Sequence, residues 1–446
     1  MIYDPLVDNI IPSNQPYPDS AWVSEEKKQY PKLDKDVETE IAIVGAGYTG
    51  LSTAYHLATK YQKNCIVIDA NQPGWGCSGR NGGFVLPGSG RMSAPQMTKK
   101  WGEVTTKLIY QEFLDSVNAV DELITSGIDC QRQNGGYIKL AHKASKLAPL
   151  HQQLVEHSST YKDAIIPLSQ AQVKDEYLGG VKSAGGIYFP NAFGINPWLF
   201  CHGLAERVEK QGVKIFGNTP LINCLDKQNA NAKQHVLFTP NGKIHAKTLI
   251  IASNAYHPNK LFPILKNKTF PVISSILVTK PLSSEQLDLL KMREGLMVMD
   301  TRPMKYYYRL LSNNRLLFGG RGAVTGKRAN HKKYRTILEN GLLETFPRLK
   351  SVEVEKFWSG WVNISYDDYP RIYHDTQQNI LYSSGYCGAG LAFSVQAGKR
   401  LAQLLHEPHT LPKLPFWQSE LKTYPFPTMR RIALHGLYAL TKLRGS

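Results

Sequence analysis

Residues 40–50 have the sequence Glu-Ile-Ala-Ile-Val-Gly-Ala-Gly-Tyr-Thr-Gly, an apolar run that leads directly into glycines spaced as Gly-x-Gly-x-x-Gly. The apolar run is typical of a buried strand, and residues 51–60 continue with apolar residues at helical spacing. A second apolar run, residues 65–68, ends at Asp69. Strand, glycine turn, helix and strand in this order predict a βαβ unit of the dinucleotide-binding type.

The glycine turn has the spacing that a phosphate cradle requires. Gly45 permits the tight turn, Gly47 lets the backbone approach a pyrophosphate, and Gly50 allows the helix to pack closely on the strand. The helix start offers unpaired N–H groups to the phosphates, and Asp69 can accept hydrogen bonds from ribose hydroxyls. The alternative is a purely structural glycine turn with a surface aspartate. We expect dinucleotide contacts from Gly45, Ala46, Gly47, Tyr48, Thr49, Gly50, Asp69 and Ala70.

Two later glycine-rich loops indicate which dinucleotide is bound, since NAD and FAD share the cradle. Residues 74–83 are Gly-Trp-Gly-Cys-Ser-Gly-Arg-Asn-Gly-Gly, and residues 385–390, Gly-Tyr-Cys-Gly-Ala-Gly, lie between an apolar strand and a helix. Such loops can lie against a large planar ligand, and a helix start can stabilise the negative charge of a reduced flavin. Each loop alone is more often a turn, but together they favour FAD. They add the candidates Gly76, Ser78, Gly79, Arg80, Asn81, Gly82, Gly83, Gly388, Ala389, Gly390 and Leu391.

The composition is typical of a folded globular protein, with 446 residues of which 42% are hydrophobic and 20% charged. The formal net charge of +17 could attract nucleic acid, but zinc-finger spacing, an aromatic RNA-binding motif and a compact basic helix are missing. The six cysteines have no CxxC or metal-ligand spacing, so we expect free thiols and no metal site. No apolar run is long enough to span a bilayer and no secretory leader is recognisable, which predicts a cytoplasmic protein. The missing nucleic-acid motifs predict that nucleic acid is not a partner.

Apolar strands of the nucleotide-fold type recur later in the chain, at residues 248–252 and 380–384. This order predicts an α/β protein with a discontinuous Rossmann-like FAD-binding domain and a second, β-sheet (α+β) substrate domain built from the insertions. A basic amphipathic helix over 429–443 is expected to pack on the protein rather than on a membrane surface. The expected bounds are 1–38 for an N-terminal extension, 39–97, 180–262 and 356–410 for the FAD-binding domain, 98–179 and 263–355 for the substrate domain, and 411–446 for a C-terminal tail.

In these features the chain resembles the D-amino acid oxidase superfamily of FAD-dependent oxidoreductases. The resemblance rests on the three glycine-rich segments and on residues 194–197 and 250–256, and it adds Ala252, Ser253 and Asn254 to the FAD contacts. Within the superfamily, residues 307–310 and 424–427 are most similar to the gamma-glutamylputrescine oxidases. The resemblance implies a β-sheet roof over the flavin and hydride transfer to flavin N5 from the carbon that bears nitrogen. It also implies hydrolysis of the imine and reoxidation by O2 with release of hydrogen peroxide.

Departures from the relatives refine the implied chemistry. Relatives similar to monomeric sarcosine oxidase attach FAD through a cysteine where residues 359–366 of this chain have none, so we expect non-covalent FAD. The same relatives hold the substrate carboxylate with a lysine where this chain has Leu391-Ala-Phe393. We therefore expect a small amine of the polyamine or gamma-glutamyl-polyamine type, without a carboxylate near the reacting carbon. Ala389, where the gamma-glutamylputrescine oxidases have a histidine, leaves the individual amine open.

Aromatic side chains are the main candidates for the substrate site, because they attract a cation and provide a low-dielectric setting that lowers an amine pKa. Tyr306, Tyr307 and Tyr308 are contiguous on a predicted strand, so Tyr306 and Tyr308 share one face and Tyr307 lies on the other. For each aromatic residue a place in the hydrophobic core is the alternative, and for Arg309 it is a surface salt bridge. The catalytic candidates are Tyr308, Tyr386, Arg309 and Trp361.

Three functions remain open. The leading one is an FAD-dependent amine oxidase that uses O2. The second is a flavin dehydrogenase for an amine or amino acid, which would pass its electrons to a quinone or another acceptor. The third is a non-catalytic flavin-binding subunit, whose flavin no amine or amino acid would bleach. Asp300 could pair with a distal ammonium group or be a solvated turn carboxylate, and Arg321 could bind a carboxylate, assist oxygen activation or form a surface salt bridge.

Overall fold

The structure, a computed structural model, describes residues 3–23, 27–156, 165–229 and 232–443. In chain order the strands are β1 (Val37–Val44), β2 (Cys65–Ile68), β3 (Phe84–Val85), β4 (Tyr137–Ala141), β5 (Ile166–Ser169), β6 (Gly185–Phe189), β7 (Phe193–Gly194), β8 (Lys214–Phe216), β9 (Asn223–Asn229), β10 (Ala232–Thr239), β11 (Gly242–Ile251), β12 (Phe270–Thr279), β13 (Met297–Asp300), β14 (Tyr307–Leu310), β15 (Leu316–Arg321), β16 (Val354–Ile364), β17 (Arg371–Asp375) and β18 (Ile380–Ser384). The helices are α1 (Tyr48–Thr59), α2 (Ala94–Trp101), α3 (Glu103–Thr125), α4 (Ala144–Glu156), α5 (Gln170–Gln172), α6 (Pro197–Lys210), α7 (Ser284–Leu290), α8 (Lys332–Thr345), α9 (Leu391–His406) and α10 (Arg430–Leu443).

The first sheet is built around the predicted βαβ unit. Its order is β17-β18-β11-β1-β2-β8, with the β9–β10 hairpin beside β11, and β1 pairs in parallel with both β2 and β11. Residues 41–44 of β1 are buried, as expected for a parallel strand covered on both faces. Helices α1 and α9 approach so closely on one face that a Cβ on Gly398 would lie 2.5 Å from Cβ of Ser52. This sheet is the α/β arrangement that the sequence predicts.

The second sheet forms the other layer of the molecule. Its order is β16-β12-β15-β14-β13-β4-β6-β5, and its pairings are antiparallel apart from the parallel pair of β13 with β4. One face packs on α8 around Phe318 and Phe346 in a separate hydrophobic cluster. The opposite face looks towards the first sheet and its loops, and it becomes the roof of the site.

Sheet membership differs from two of the predicted domain bounds. β6 pairs with β4 and β5, and β16 pairs with β12, so residues 185–189 and 354–364 belong to the second sheet. The expected FAD-binding segments, 180–262 and 356–410, include both strands. Apolar patterning identifies a strand, but the hydrogen-bonded partner that assigns it to a sheet is not encoded in that pattern.

The N-terminal segment and α10 meet beside the second sheet. The Asp4 carboxylate pairs with Arg431 and accepts a hydrogen bond from the Gly326 N–H at 3.0 Å. Leu434 of α10 is buried, and the outer surface of the helix exposes Ile432, Leu437 and Leu440. None of the helices in the described ranges is long and apolar enough to cross a membrane. Residues 444–446 of the predicted tail lie outside the described residues.

Candidate functional site

A cavity of about 520 Å³ lies between the carboxyl ends of β1 and β2 and the second sheet. Ligand pockets commonly measure about 300–1,000 Å³, and ligands of open parallel sheets bind at the carboxyl ends of the strands. The cavity is lined by most of the expected cofactor residues, namely Gly45, Gly47, Tyr48, Thr49, Asp69, Ala70, Gly76, Ser78, Arg80, Asn81, Gly82, Ala252, Ser253, Asn254, Gly388, Ala389, Gly390 and Leu391. Ala46, Gly50, Gly79 and Gly83 lie outside its lining: Ala46 donates its N–H to Asp69, and the three glycines allow close packing.

The cradle has no room for larger residues. Gly45 has a φ of +115°, and an added Cβ would lie 2.7 Å from the carbonyl oxygen of Ala252. A Cβ on Gly47 would lie 2.8 Å from Oγ of Ser78, and one on Gly50 only 1.9 Å from the carbonyl oxygen of Gly45. The first two glycines therefore keep the backbone open to a ligand, whereas Gly50 brings α1 onto β1, as its place in the motif predicts.

Asp69 fixes the cradle from the end of β2. Its carboxylate accepts hydrogen bonds from the N–H groups of Ala46, at 2.8 Å, and Asn71, at 2.9 Å. Burial raises the pKa of this carboxyl to about 6, and the two hydrogen bonds act against that rise. The carboxylate lines the cavity and keeps acceptor capacity for the hydroxyls of a ribose.

The loop of residues 74–83 is held rigidly by its own polar side chains. Arg80 Nε donates to the carbonyl of Trp75 at 2.8 Å, and its guanidinium lies 4.7 Å from the centre of the Trp75 ring. Asn81 Nδ2 donates to the carbonyl of Ser78 at 2.9 Å, while Asn81 Oδ1 accepts from the Gly83 N–H at 2.8 Å. Arg80 Nη1 also donates to the carbonyl of Ser359 on β16 at 3.2 Å, so the two side chains fix the loop and join it to the second sheet.

The loop of residues 385–390 closes the cavity at the start of α9. Tyr386 lines the cavity, and its hydroxyl is hydrogen-bonded to Oγ1 of Thr49 at 2.8 Å and to Oγ of Ser383 at 2.7 Å. Burial raises the pKa of Tyr386 to about 12, so the hydroxyl stays protonated. The N-cap of α9 is Gly390, which provides no side-chain cap. The first N–H groups of α9 are therefore available to negative charge in the cavity.

The roof is one row of residues across neighbouring strands. Lys139 on β4 is aligned with Met299 on β13, Met299 with Tyr307 on β14, and Tyr307 with Gly319 on β15. A Cβ on Gly319 would lie 2.2 Å from the Tyr307 ring, so the glycine makes room for that ring. The Tyr307 hydroxyl is hydrogen-bonded to Oγ of Ser274 at 2.9 Å. Side chains from alternate positions of these strands thus face the first domain.

The prediction that Tyr308 lies at the substrate site is wrong. Because β14 alternates, Tyr307 faces the cavity and Tyr308 faces α8, where its ring is stacked 5.7 Å from Phe318. Tyr308 is fully buried in the core of the second domain and has no contact with the cavity.

Arg309 and Trp361 are also absent from the cavity lining. Arg309 is buried and donates to the carbonyls of Gly83 at 2.7 Å and Ile195 at 3.1 Å, which joins β14 to the loops below it. Trp361 Nε1 donates to the carbonyl of Tyr3 at 2.7 Å and anchors the N-terminal segment. Asp300, a buried carboxylate paired with Arg302, holds the turn before β14. All three groups satisfy buried polar atoms rather than facing a substrate.

Several lining residues were not among the candidates. They include Arg91, Lys139, Met299, Lys305 and Tyr307. Lys139 stands alone in the apolar strand Tyr137–Ala141, and that break in the pattern was a usable signal. Tyr307 belongs to the tyrosine run of residues 306–308, but the sequence does not show which face of β14 meets the cavity.

Solved structures with a similar fold include a glycine oxidase and an L-proline dehydrogenase. Glycine oxidase from Geobacillus kaustophilus superposes with a TM-score of 0.67 at 20% identity, covering 86% of this chain and 98% of that protein. L-Proline dehydrogenase from P. horikoshii superposes with a TM-score of 0.68 at 17% identity, covering 86% and 96%. These likenesses confirm the predicted Rossmann-like domain with a second, sheet-containing domain.

Curated protein sequences are similar over most of the chain. A gamma-glutamylputrescine oxidoreductase of Escherichia coli is 29% identical over 405 residues, which cover 89% of this chain and 92% of that protein. A probable oxidoreductase of Haemophilus influenzae is 28% identical, covering 84% and 85%. A D-amino acid dehydrogenase of Bradyrhizobium diazoefficiens is 24% identical, covering 82% and 94%.

The residues of the cavity fit the cofactor of such enzymes. The cradle is glycine where a Cβ would fill it, Asp69 stands at the end of the second strand, and the uncapped start of α9 faces the same space. The model of the family of FAD-dependent oxidoreductases named DAO matches residues 40–404, a span that contains the cradle, the roof and α9. The chain therefore belongs to the DAO family of FAD-dependent oxidoreductases.

Proposed function

We propose that this protein is an amine oxidase that oxidises a C–N bond of a small amine and uses O2 as the electron acceptor. Bound FAD supplies the acceptor for the hydride that leaves the carbon next to nitrogen, and its reoxidation by O2 yields hydrogen peroxide. The oxidised substrate is an imine, which water converts to a carbonyl compound and an amine or ammonia.

The continuity of one cavity carries this proposal. Gly45 at the cradle and Tyr307 on the roof line the same space, so a dinucleotide and a small organic molecule can share it. The E. coli relative is named for gamma-glutamylputrescine, an amine, and this supports an amine as the substrate here.

The roof residues prepare an amine for the loss of hydride. Tyr307 and Phe84 make an edge-to-face contact with ring centres 5.8 Å apart, and both line the cavity. A wall of this kind lowers the pKa of an amine, which must be uncharged when hydride leaves the adjacent carbon. Burial raises the pKa of Tyr307 to about 12, so its hydroxyl remains protonated and orients the substrate by hydrogen bonding rather than by removing a proton.

The uncapped start of α9 complements this wall. Its N–H groups and the positive end of the helix dipole would stabilise the negative charge of a reduced flavin in the cavity. Tyr386 ties the preceding loop to Thr49 of α1, so these donors are in place before the reaction begins.

We also propose that FAD is held without a covalent bond. Cys77 and Cys387 are the thiols that line the cavity within the described residues. Burial raises the pKa of the Cys77 thiol to about 11, and burial also raises that of Cys387. A neutral thiol is a poor nucleophile, so neither residue is prepared to attack the flavin. Acid precipitation of the holoprotein should leave the yellow colour in the supernatant.

The decisive experiment is flavin bleaching without oxygen, followed by air. The holoprotein is mixed anaerobically with diamines, acylated diamines, gamma-glutamyl amines and amino acids, and the flavin absorbance near its visible maximum is followed. We expect one or more amines to bleach the flavin and air to restore the colour with stoichiometric hydrogen peroxide.

Two results would redirect the proposal. A flavin that bleaches with an amine but recovers in air only after a quinone is added identifies a dehydrogenase. A flavin that bleaches with none of these compounds, although dithionite reduces it, identifies a flavin-binding subunit without this activity.

A further inference from the structure

Four cationic side chains meet at the roof end of the cavity. Lys139, Lys305, Arg321 and Arg91 all line it. Lys139 lies in the same row as Tyr307 on the roof face of the sheet. The pairing of Tyr307 with Gly319 runs antiparallel, so Lys305 and Arg321, each two residues beyond that pair, lie beside each other. Positive charge is therefore concentrated at the roof end of the cavity. It comes from β4, from β15, from the turn before β14 and from the loop at Arg91.

Ion pairs among the described residues do not neutralise these four cations, although the charge of Arg91 interacts with that of Asp368, which is outside the cavity lining. In the part of the chain that the structure describes, no carboxylate forms an ion pair with any of the four. The nearby Asp300 carboxylate is paired with Arg302 and is outside the cavity lining. Among the described lining residues, Asp69 at the cradle is the only carboxylate.

The arrangement has an electrostatic cost that a ligand can remove. Burial, together with the charges of Lys139, Arg321 and Arg91, lowers the pKa of Lys305 to about 8. Like charges in a site of low dielectric repel one another, and an anion placed among them relieves the repulsion. The same charges repel the free second ammonium group of a simple diamine.

The cofactor phosphates do not account for the cluster. The pyrophosphate site is the cradle at Gly45 and Gly47, on loops of the first sheet, where the N–H groups of α1 begin. Lys139, Lys305 and Arg321 are on the second sheet or in its turn. These cations are therefore available to bind a negative charge on another molecule.

We propose that Arg91, Lys139, Lys305 and Arg321 form an anion subsite that binds a carboxylate of the substrate. The substrate class is then an amine that also carries a carboxylate, such as a diamine acylated by a dicarboxylic acid. The position of the subsite on the roof is compatible with Leu391-Ala-Phe393 after the glycine loop, since those apolar residues leave that part of the wall without a cation. The substrate assignment rests on the proposed amine oxidation, but the existence of the subsite does not.

The first experiment measures anion binding without turnover. Glutarate, a dicarboxylate that contains no amine, is titrated into the holoprotein, and its affinity is read from calorimetry and from the thermal shift. The variants are Lys305→Met and Lys139→Met, with Lys305→Arg as the conservative rescue and the exposed Lys333→Met as the matched control. We expect the Met variants at the cluster to lose about tenfold or more in affinity, whereas Lys305→Arg and Lys333→Met keep it.

Folding is controlled within the same experiment. Removing one of several repelling cations should leave the melting temperature without glutarate unchanged or higher, so a loss of binding in a folded variant reports on the subsite. Equal glutarate affinity in the wild-type protein and in both Met variants overturns the proposal, and so does a wild-type protein that binds no glutarate at millimolar concentration.

The second experiment tests the substrate class with a matched pair. N-Acetyl-1,4-diaminobutane and N-glutaryl-1,4-diaminobutane present the same amine and differ in the carboxylate. We expect the glutaryl compound to bleach the flavin at a concentration about tenfold or more lower, and Lys305→Met to remove that advantage. Equal bleaching by both compounds overturns the assignment of the carboxylate to the substrate. If neither compound bleaches the flavin while glutarate still binds through Lys305, the amine-oxidase proposal fails and the anion subsite stands.

Discussion

Replacing Gly45 by alanine is expected to abolish tight FAD binding in a protein that still folds. The φ of +115° at this residue lies in a region that is almost restricted to glycine and costs an L-amino acid about 1–3 kcal/mol. The added Cβ would lie 2.7 Å from the carbonyl oxygen of Ala252, whereas ordinary contacts begin at 3.4 Å, so the turn must move by several tenths of an ångström. That movement displaces the N–H groups that face the pyrophosphate. Loss of one charge-assisted hydrogen bond, worth about 1.5–3 kcal/mol, raises the Kd for FAD about 10- to 100-fold.

The assay is a fluorescence titration of the apoprotein with FAD, well below the melting temperature of each variant. Gly212→Ala is the matched control, because Gly212 has a φ of +82° but an added Cβ meets nothing within 4 Å. It shares the backbone strain without the collision and lies away from the cavity, so its melting temperature should fall slightly and its FAD affinity should not change. FAD binding by Gly45→Ala within twofold of the wild-type value would refute the assignment of this turn as the phosphate cradle.

Three further changes test the roof and its core. Tyr307→Phe removes the hydroxyl bonded to Ser274 and should slow anaerobic flavin reduction about tenfold, whereas Tyr306→Phe should leave the rate unchanged, which rapid-mixing absorbance measures. Tyr308→Ala should lower the free energy of unfolding by about 3–5 kcal/mol in urea titrations and keep the flavin spectrum, since the residue packs in the second core. Glutarate affinity should be constant between about pH 6 and pH 7, where both of its carboxylates are ionised, and should fall above pH 8, because Lys305, facing Lys139, Arg321, Arg91 and the more distant Asp300, loses its charge there. If the glutarate affinity of a Lys305→Arg variant falls at the same pH as that of the wild type, the titration belongs to another group.

The cradle could be predicted from the sequence because its requirements are local. The spacing of Gly45, Gly47 and Gly50 is set by a turn that lies between two adjacent elements, and the strand and helix patterns on either side are also local. The later glycine loops were recognised for the same reason, and both line the cavity. Gly79 and Gly83 were expected to contact the cofactor, but their Cβ positions are closed by Gly74 and Ile195, so they shape the loop instead.

The roof could not be predicted in the same way. Alternation along β14 places Tyr307 and Tyr308 on opposite faces, but which face meets the cavity depends on pairing with β13 and β15 and on where α8 packs. The partners of Arg309 and Trp361 are backbone carbonyls more than a hundred residues away in the chain. Long-range contacts of this kind leave no trace in a local pattern, so these residues were assigned to the site on residue type alone.

Lys139 shows how a break in a local pattern becomes informative once the fold is known. Its neighbours Ile138 and Leu140 are buried in the second core, and the chain places a lysine between them on the roof face. Burial lowers the pKa of this lysine, which means that its charge destabilises the protein without a partner. An apolar residue in the same row, as Met299 is, would remove that cost. Residues that break a local rule at such a cost are concentrated at functional sites. The lysine is therefore better explained by an anion that it binds than by the stability of the sheet, and the titration of Lys139→Met with glutarate measures that difference directly.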